Sequence, residues 1–506
     1  MSTPIFPGGI ITWTDKQDTI EADINNAFAE IIAVEKVVAS NTSQISESMS
    51  NFSNFKFDGS DEYIKLQAIF DDASKNNKNI VFPMKKTICI SQPIRIKGNF
   101  HNYIFGNNCT LKLIMQTEST DKPCLYFTTL SELGSTTKGT LEYNAGVTLY
   151  ELNFDGVGYG IGYKHAIAGN LTLINCEFSD NLEVGVKLVG TNGVSFYNCK
   201  IMGNKKGVYC AFNKNDTGSI NYTDDSYGWN DGIHFVGGLI QTSNNGYGIY
   251  YEGSSAESVI TIRNCIIAGS TNSIGVFAKE FTNLLVEGGW SEYFNGGIVF
   301  KIDVDETNYA PNNFEISHFS FSDYSGSRAD RNIYTKAINS EIRNCFFIGN
   351  TNLPLIYASV TKLDIQLSSA SPTFVTQGTP NTILGKYIAD LGWSVYGRNM
   401  ILKTNNNSYY LKFIQKTADN QFQYNVYTYT GSQDSGYNLT PYTENIVVNI
   451  AQEWLFADES DNGSIKIEQN ILYDDAGLYT WLETDPKSIS IYKSANVYRP
   501  LRIRTP

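Results

Sequence analysis

Leu173-Ile174-Asn175-Cys176, Phe196-Tyr197-Asn198-Cys199, Phe235-Val236-Gly237-Gly238, Ile262-Arg263-Asn264-Cys265 and Val286-Glu287-Gly288-Gly289 are five returns of one motif within residues 147–302. Each is a β-rich run that enters Asn-Cys or Gly-Gly, and it comes back once more as Ile342-Arg343-Asn344-Cys345. A second motif follows the first five in turn, a Gly leading an apolar run: Gly185-Val186-Lys187-Leu188, Gly207-Val208-Tyr209-Cys210, Gly248-Ile249-Tyr250-Tyr251, Gly275-Val276-Phe277-Ala278 and Gly297-Ile298-Val299-Phe300. The period is roughly 22 to 30 residues where nothing is inserted, the range of stacked solenoid coils. Strand-type alternation, with no helical pattern between motifs, selects a parallel β-helix over helical repeats.

A solenoid lengthens along its axis without a thicker core, which suits a chain of 506 residues. Lysine and arginine total 38 against 51 acidic residues, a net charge of −13 that argues against nucleic acid as the main partner. Of the eight cysteines, Cys176, Cys199, Cys265 and Cys345 fall at one point of their coils. They are expected to form a buried ladder of free thiols, since Cys packs as a small apolar residue. No CxxC pair or HExxH motif suggests a metal, and no cofactor is expected. The first nine residues have neither a basic nor an apolar region of the signal-peptide kind, and no run approaches membrane-spanning length, so a soluble protein without membrane insertion is expected.

Residues 1–14, with Pro4, Pro7, Gly8 and Gly9, read as a docking arm or a loose tail. Asp18 and Glu21 suit a capping box, after which Ile24, Ile31, Val38, Ile45 and Phe52 recur every seven residues, with Ile20, Ala27 and Val34 in the complementary seam. That pattern fits a short parallel coiled coil, or one amphipathic helix packed on its own domain. Residues 60–73 carry a second helical pattern with Ile64, Leu66, Ala68, Ile69 and Ala73 apolar, followed by Asn79-Ile80-Val81-Phe82-Pro83, a strand stopped by proline.

This order, an Asp, then Leu66-Gln67-Ala68-Ile69, then Ile80-Val81-Phe82-Pro83, resembles the opening of the pectate-lyase-like right-handed β-helix of bacteriophage tailspikes and tail-fibre depolymerases. With the coil repeats, the resemblance covers about residues 55–365. It departs from the family pattern at Met84-Lys85-Lys86, where a Gly is usual. The resemblance implies an end-plugging helix, a homotrimer, attachment to phage tail or baseplate proteins through the N-terminus, and a bacterial surface polysaccharide as partner. From Thr361 the repeat stops, and short alternating strands such as Tyr409-Tyr410-Leu411-Lys412-Phe413 suggest an antiparallel β-sandwich. The expected fold is therefore all-β: an N-terminal arm and coiled-coil segment over 1–54, a right-handed parallel β-helix with a capping helix over 55–365, and a C-terminal β-sandwich over 366–506.

Aligning the second motif on its Gly puts Val186, Val208, Ile249, Val276 and Ile298 inward. Lys187, Tyr209, Tyr250, Phe277 and Val299 then form one outward column, and Val189, Ala211, Glu252, Lys279 and Lys301 another. Tyr209, Tyr250 and Phe277 make an aromatic strip, suited either to the apolar faces of sugars or to an intersubunit seam. An insertion over 213–231 carries Asp216, Asp224, Asp225, Tyr227, Trp229 and Asp231, and a second extension starts at Asp303; surplus loops on a rigid scaffold are where function concentrates. Hydrolysis of a glycosidic bond needs two carboxylates. The candidates are Asp231, Glu252, Asp224, Asp225, Glu292 and Asp303, with Asp231 and Glu252 the preferred pair and Lys279 the neighbour that would keep Glu252 ionised. Tyr209, Tyr227, Trp229, Tyr250, Phe277, Lys279 and Trp290 are the candidate substrate-binding residues. β-Elimination would need a base such as His165, His234, a Lys or a Tyr, and a receptor fibre that binds glycan without cutting it would need no paired acids. The motif set of pectin hydrolases is not present as a set, although Arg95-Ile96-Lys97 occurs alone.

Overall fold

The computed structural model describes residues 5–6, 9–10, 52–96, 102–114, 123–127, 146–156, 158–164, 171–181, 183–189, 191–211, 231–252, 259–279, 283–303, 313–322, 329–337, 339–348, 355–358, 373–375, 377–379, 399–404, 407–418, 421–432, 436–448, 453–456, 464–474, 482–484, 490–494 and 496–500. The heptads expected over 20–51 lie outside these. Ile5–Phe6 and Gly9–Ile10 pair as a small antiparallel hairpin.

Each coil of the repeat supplies three strands, as in Leu171–Ile174, Glu177–Ser179 and Val184–Val189. The strands of the next coil, Asn192–Tyr197, Lys200–Met202 and Lys206–Ala211, pair with them in parallel and in register. The first two strands of each coil belong to one long sheet and the third to an eleven-stranded parallel sheet. Alternation sends Leu171, Leu173, Phe178, Val186 and Leu188 into the interior at 0 % exposure, and a single apolar core runs from Phe52 to Leu482.

The Asn-Cys and Gly-Gly motifs make the bend between the two strands of the long sheet. Asn175, Asn198, Asn264 and Asn344 have φ of 53°, 50°, 53° and 52°, and Gly237 and Gly288 take the same left-handed conformation, which Asn and Gly adopt at least cost. Each bend residue still donates its N–H along the axis, Asn175 to the Tyr197 carbonyl and Asn264 to that of Glu287, both at 2.9 Å. Two bends that the motif did not reveal are Ser317-His318-Phe319 and Glu468-Gln469-Asn470, where His318 and Gln469 both have φ of 56°. The eight cysteines are free and buried.

The helix α1, Tyr63–Asn76, buries Leu66, Phe70 and Ala73 in the first coil. The expected apolar set is corrected in two places: Ile64 is 80 % exposed and Ala68 also faces solvent, because the spacing of Leu66, Phe70 and Ala73 sets the inward face. Ile94–Ile96 is the edge strand of the eleven-stranded sheet. Gln67 covers it by accepting from the Arg95 N–H at 2.8 Å and donating to the Arg95 carbonyl at 2.9 Å, so a side-chain amide stands in for the missing neighbour strand.

The boundary expected at 366 is also corrected. Antiparallel strands are present, with Met400–Lys403, Ser408–Ala418, Gln421–Ser432, Gly436–Pro441 and Glu453–Phe456 forming one five-stranded sheet around Ile401 and Tyr410. They are an insertion within the solenoid, because Ser464–Glu468, Ile471–Asp474 and Leu482–Thr484 return to pair in parallel with Asn339–Arg343, Phe346–Ile348 and Ile356–Ala358. Ser490–Ser494 and Val497–Pro500 stack beyond them. The return is hard to see in the sequence since its first bend reads Gln469-Asn470 rather than Asn-Cys.

Candidate active site

Six consecutive strands of the eleven-stranded sheet, from Val184–Val189 to Arg331–Thr335, present three outward rows. The middle row runs Lys187, Tyr209, Tyr250, Phe277, Lys301, Tyr334 and then Tyr357. Beside it, at the ends of the strands, Glu252, Lys279 and Asp303 lie in register, and Lys336 follows, its Nζ 3.1 Å from Asp303 Oδ1. Along the other side run Lys206, Tyr247, Ile274, Ile298 and Arg331.

These rows correct the expected columns at one coil. Gly275 pairs at the level of Val299, not Gly297, so Phe300 is the inward residue in place of Ile298, Lys301 continues the aromatic column in place of Val299, and Asp303 follows Lys279 in place of Lys301. The reason is steric. A Cβ on Gly207, Gly248 or Gly275 would lie 2.4 to 2.6 Å from a carbonyl of the next coil and 2.7 Å from the side chain of Ile201, Ile240 or Ile267. One coil on, the isoleucine row is continued by Ser291, and the smaller residue leaves room for Val299, which is 1 % exposed. Gly297 instead belongs to the preceding bend, with φ of 80° and its Cβ position 2.0 Å from the Ser273 carbonyl.

The aromatic strip is interleaved with cations. Tyr250 stacks on Phe277 at 4.8 Å and meets Tyr209 edge-on at 5.4 Å. Lys206 Nζ lies 3.7 Å from the ring centre of Tyr209 and 4.0 Å from that of Tyr250, and Lys301 Nζ is 5.5 Å from that of Phe277. The Tyr209 hydroxyl donates to Glu252 Oε2 at 3.0 Å. Burial, then the charge of Glu252 and the nearby Tyr247, push the Tyr250 hydroxyl up to about 12, so it stays protonated beyond the ordinary tyrosine range. Burial likewise raises Tyr334; Lys336 opposes the rise, and the charge of Asp303 adds to it.

Other expected site residues are distributed differently. Asp231 opens the strand Asp231–Val236 in the long sheet, pairing with Asn192, so a corner of the coil separates it from the Glu252 row. The strand before it ends at Ala211, where the insertion was placed; Asp224, Asp225, Tyr227 and Trp229 lie outside the described residues, as does His165. Trp290 and Glu292 stand together on the long sheet, the indole N–H donating to Glu292 Oε2 at 3.2 Å, and are not part of the rows. His234 also faces outward from the long sheet, 2.7 Å from Thr261 Oγ1, while His318 occupies a bend. Lys206, Tyr247 and Arg331 were missed in the sequence. Reading the residue just before the Gly of the second motif would have found the first two. Among the described residues no group of three or more His, Cys, Asp or Glu could hold a metal ion, and no helix is long and apolar enough to cross a membrane.

Residues 94–288 match the family model described as the right-handed beta helix region, which gives the coils their hand. A search of curated protein sequences returned no match. Among solved structures, the chain is similar to the Streptococcus pneumoniae surface protein and adhesin PfbA at 12 % identity, covering 89 % of this chain and 96 % of that one with a TM-score of 0.38. It is similar to the enzymatically active domain of tailspike protein 2 of bacteriophage CBA120 at 11 % identity, 78 % and 74 % coverage and a TM-score of 0.34. A third is the tailspike protein gp49 of Acinetobacter baumannii bacteriophage Fri1, described as a capsular polysaccharide depolymerase, at 11 % identity, 78 % and 82 % coverage and a TM-score of 0.27.

Proposed function

We propose that the outward face of the eleven-stranded sheet binds a bacterial surface polysaccharide and cuts it by endo-glycosidic hydrolysis, as part of a bacteriophage tailspike. The observation that carries this reading is the row Glu252, Lys279, Asp303 beside the Tyr209, Tyr250 and Phe277 strip. Glu252 and Asp303 are two coils apart, about 10 Å at the spacing of adjacent strands, near the wide end of the separation that leaves room for a water and inverts the anomeric centre. Glu252 accepts from the Tyr209 hydroxyl, which holds its carboxylate over the strip, and Lys279 lies in register between the two acids. Asp231, where the insertion rejoins the coil, remains a candidate for the acid. In this reading three copies associate, residues 1–54 attach them to phage tail or baseplate proteins, and the protein acts from the virion tail at the bacterial surface.

Capsules and lipopolysaccharides from a panel of strains are the substrates to try, with oligosaccharide release as the readout. Glu252→Gln and Asp303→Asn are each expected to cut release by at least about a hundredfold, the scale of losing a general acid or base, while glycan binding persists. Proton NMR of the first products should give the inverted anomer. Near-wild-type turnover in both variants would sink the assignment. A second reading, β-elimination, is favoured by Lys279 standing between the acids, where it could neutralise a uronate; an unsaturated-uronate absorbance in the products would select it.

A further inference from the structure

We infer that the polysaccharide this face takes is anionic, its carboxylates or phosphates read by lysines set among the aromatic rings. This deepens the function proposed above and rests on it. The chain as a whole carries 51 acidic residues against 38 basic ones, yet the three rows reverse that balance. From the Val184–Val189 strand to Lys336 they hold Lys187, Lys206, Lys279, Lys301, Arg331 and Lys336 against only Glu252 and Asp303. Asp303 pairs with Lys336, and within the rows cations still outnumber carboxylates. Such a local excess concentrates an anionic ligand along these rows.

The position of the cations makes the point more specific. Lys206 lies over the faces of Tyr209 and Tyr250, so a neutral sugar stacking on those rings would have to displace an ammonium from two favourable ring contacts. An anionic sugar would not, because its charge meets the ammonium while its ring lies on the neighbouring aromatic surface. Three coils further along the axis Lys301 lies between Phe277 and Tyr334, and Arg331 caps Tyr357 at 4.9 Å. The face thus repeats a ring-and-cation unit along the direction in which a polymer chain would run. Lys187, 6 % exposed between Tyr159 and Tyr209, adds field rather than contact.

The test uses the full chain and three probes: polygalacturonate, the same polymer with its carboxyls methyl-esterified, and a glycerol-phosphate teichoic acid, with binding followed by microscale thermophoresis at low and at physiological salt. At least one anionic polymer should bind, more weakly as salt rises. The esterified polymer should bind at least about tenfold more weakly than polygalacturonate if carboxylate is what is read, the scale of one charge-assisted hydrogen bond; preference for the teichoic acid would assign the phosphate. Lys206→Met and Lys301→Met should each weaken anionic binding by a similar factor, whereas Lys200→Met, on the long sheet, should not. Equal binding of free and esterified polymer with no preference for the teichoic acid, or no effect of both lysine variants, overturns the inference, and so does tighter binding of single-stranded oligo(dT) than of either anionic glycan. Binding as expected without any release of oligosaccharide from the capsule panel would instead remove the depolymerase reading and leave the anionic ligand in place.

Discussion

Single residues at the bends and in the core set what each coil can tolerate. Burial pushes the thiols of Cys109, Cys265 and Cys345 up to about 12, from an ordinary 9.0. Above the ordinary value an unfolded chain gives up these protons while the folded chain keeps them, so their contribution is full below about pH 9 and declines as pH rises towards about 12. Urea midpoints should therefore fall between about pH 8 and about pH 10.5, and Cys265→Ala should lessen the fall. Iodoacetamide should label none of the eight thiols in the native protein and all of them in urea; rapid native labelling of Cys265 would contradict the burial. Whereas the left-handed conformation of the Asn came from the structure, the cysteine ladder and the recurring Asn-Cys mark were legible in the sequence because the residue types that fit there are few. His318 and Gln469 were not, since either residue in that conformation breaks the expected alphabet while keeping the backbone.

At the scale of strands, the decisive constraint is the contact between the glycine row and the isoleucine row behind it. A methyl on Gly248 would sit 2.5 Å from the Gly275 carbonyl and 2.7 Å from Ile240 Cγ2, and Gly248→Ala should cost about 1–3 kcal/mol, the usual range for overpacking. Since Val299 and Ser291 are the coil where this exchange of volumes already occurs, adding Ile240→Ala should recover part of that loss. A double-mutant cycle by urea denaturation with no coupling between the two sites would refute the steric account. The same pair explains why the outward column is legible in register through Phe277 and slips one coil later. A Gly marks the position in the sequence, whereas the position is defined by the space between two rows. Asp303 is among the acids the sequence offers as candidates, but its place beside Lys279 needed the register.

For the whole molecule, the heptads over 20–52 and the resemblance to tailspikes lead to the expectation of a trimer in which each copy's face is completed by its neighbours. Sedimentation equilibrium at micromolar concentration should return three times the 56.3 kDa of one chain; a stable monomer would end the idea. How the core was found and the insertion missed follows from one asymmetry: repeats announce themselves, whereas an interruption looks the same as an end. That interruption has a kinetic meaning. Cys345 donates its backbone N–H to Asn470, 125 residues later, so the contact order of the last coils is far higher than that of the stack they join. The entropy of closing so long a loop grows only slowly with its length, and stability suffers little; speed suffers more. On a ribosome, the coils up to Ala358 can zip as they emerge, while the terminal coils wait for the whole antiparallel sheet to be made before they have anything to dock with. Until then the strand Ile356–Ala358 is a bare edge, and the window for mispairing is as long as the insertion takes to synthesise.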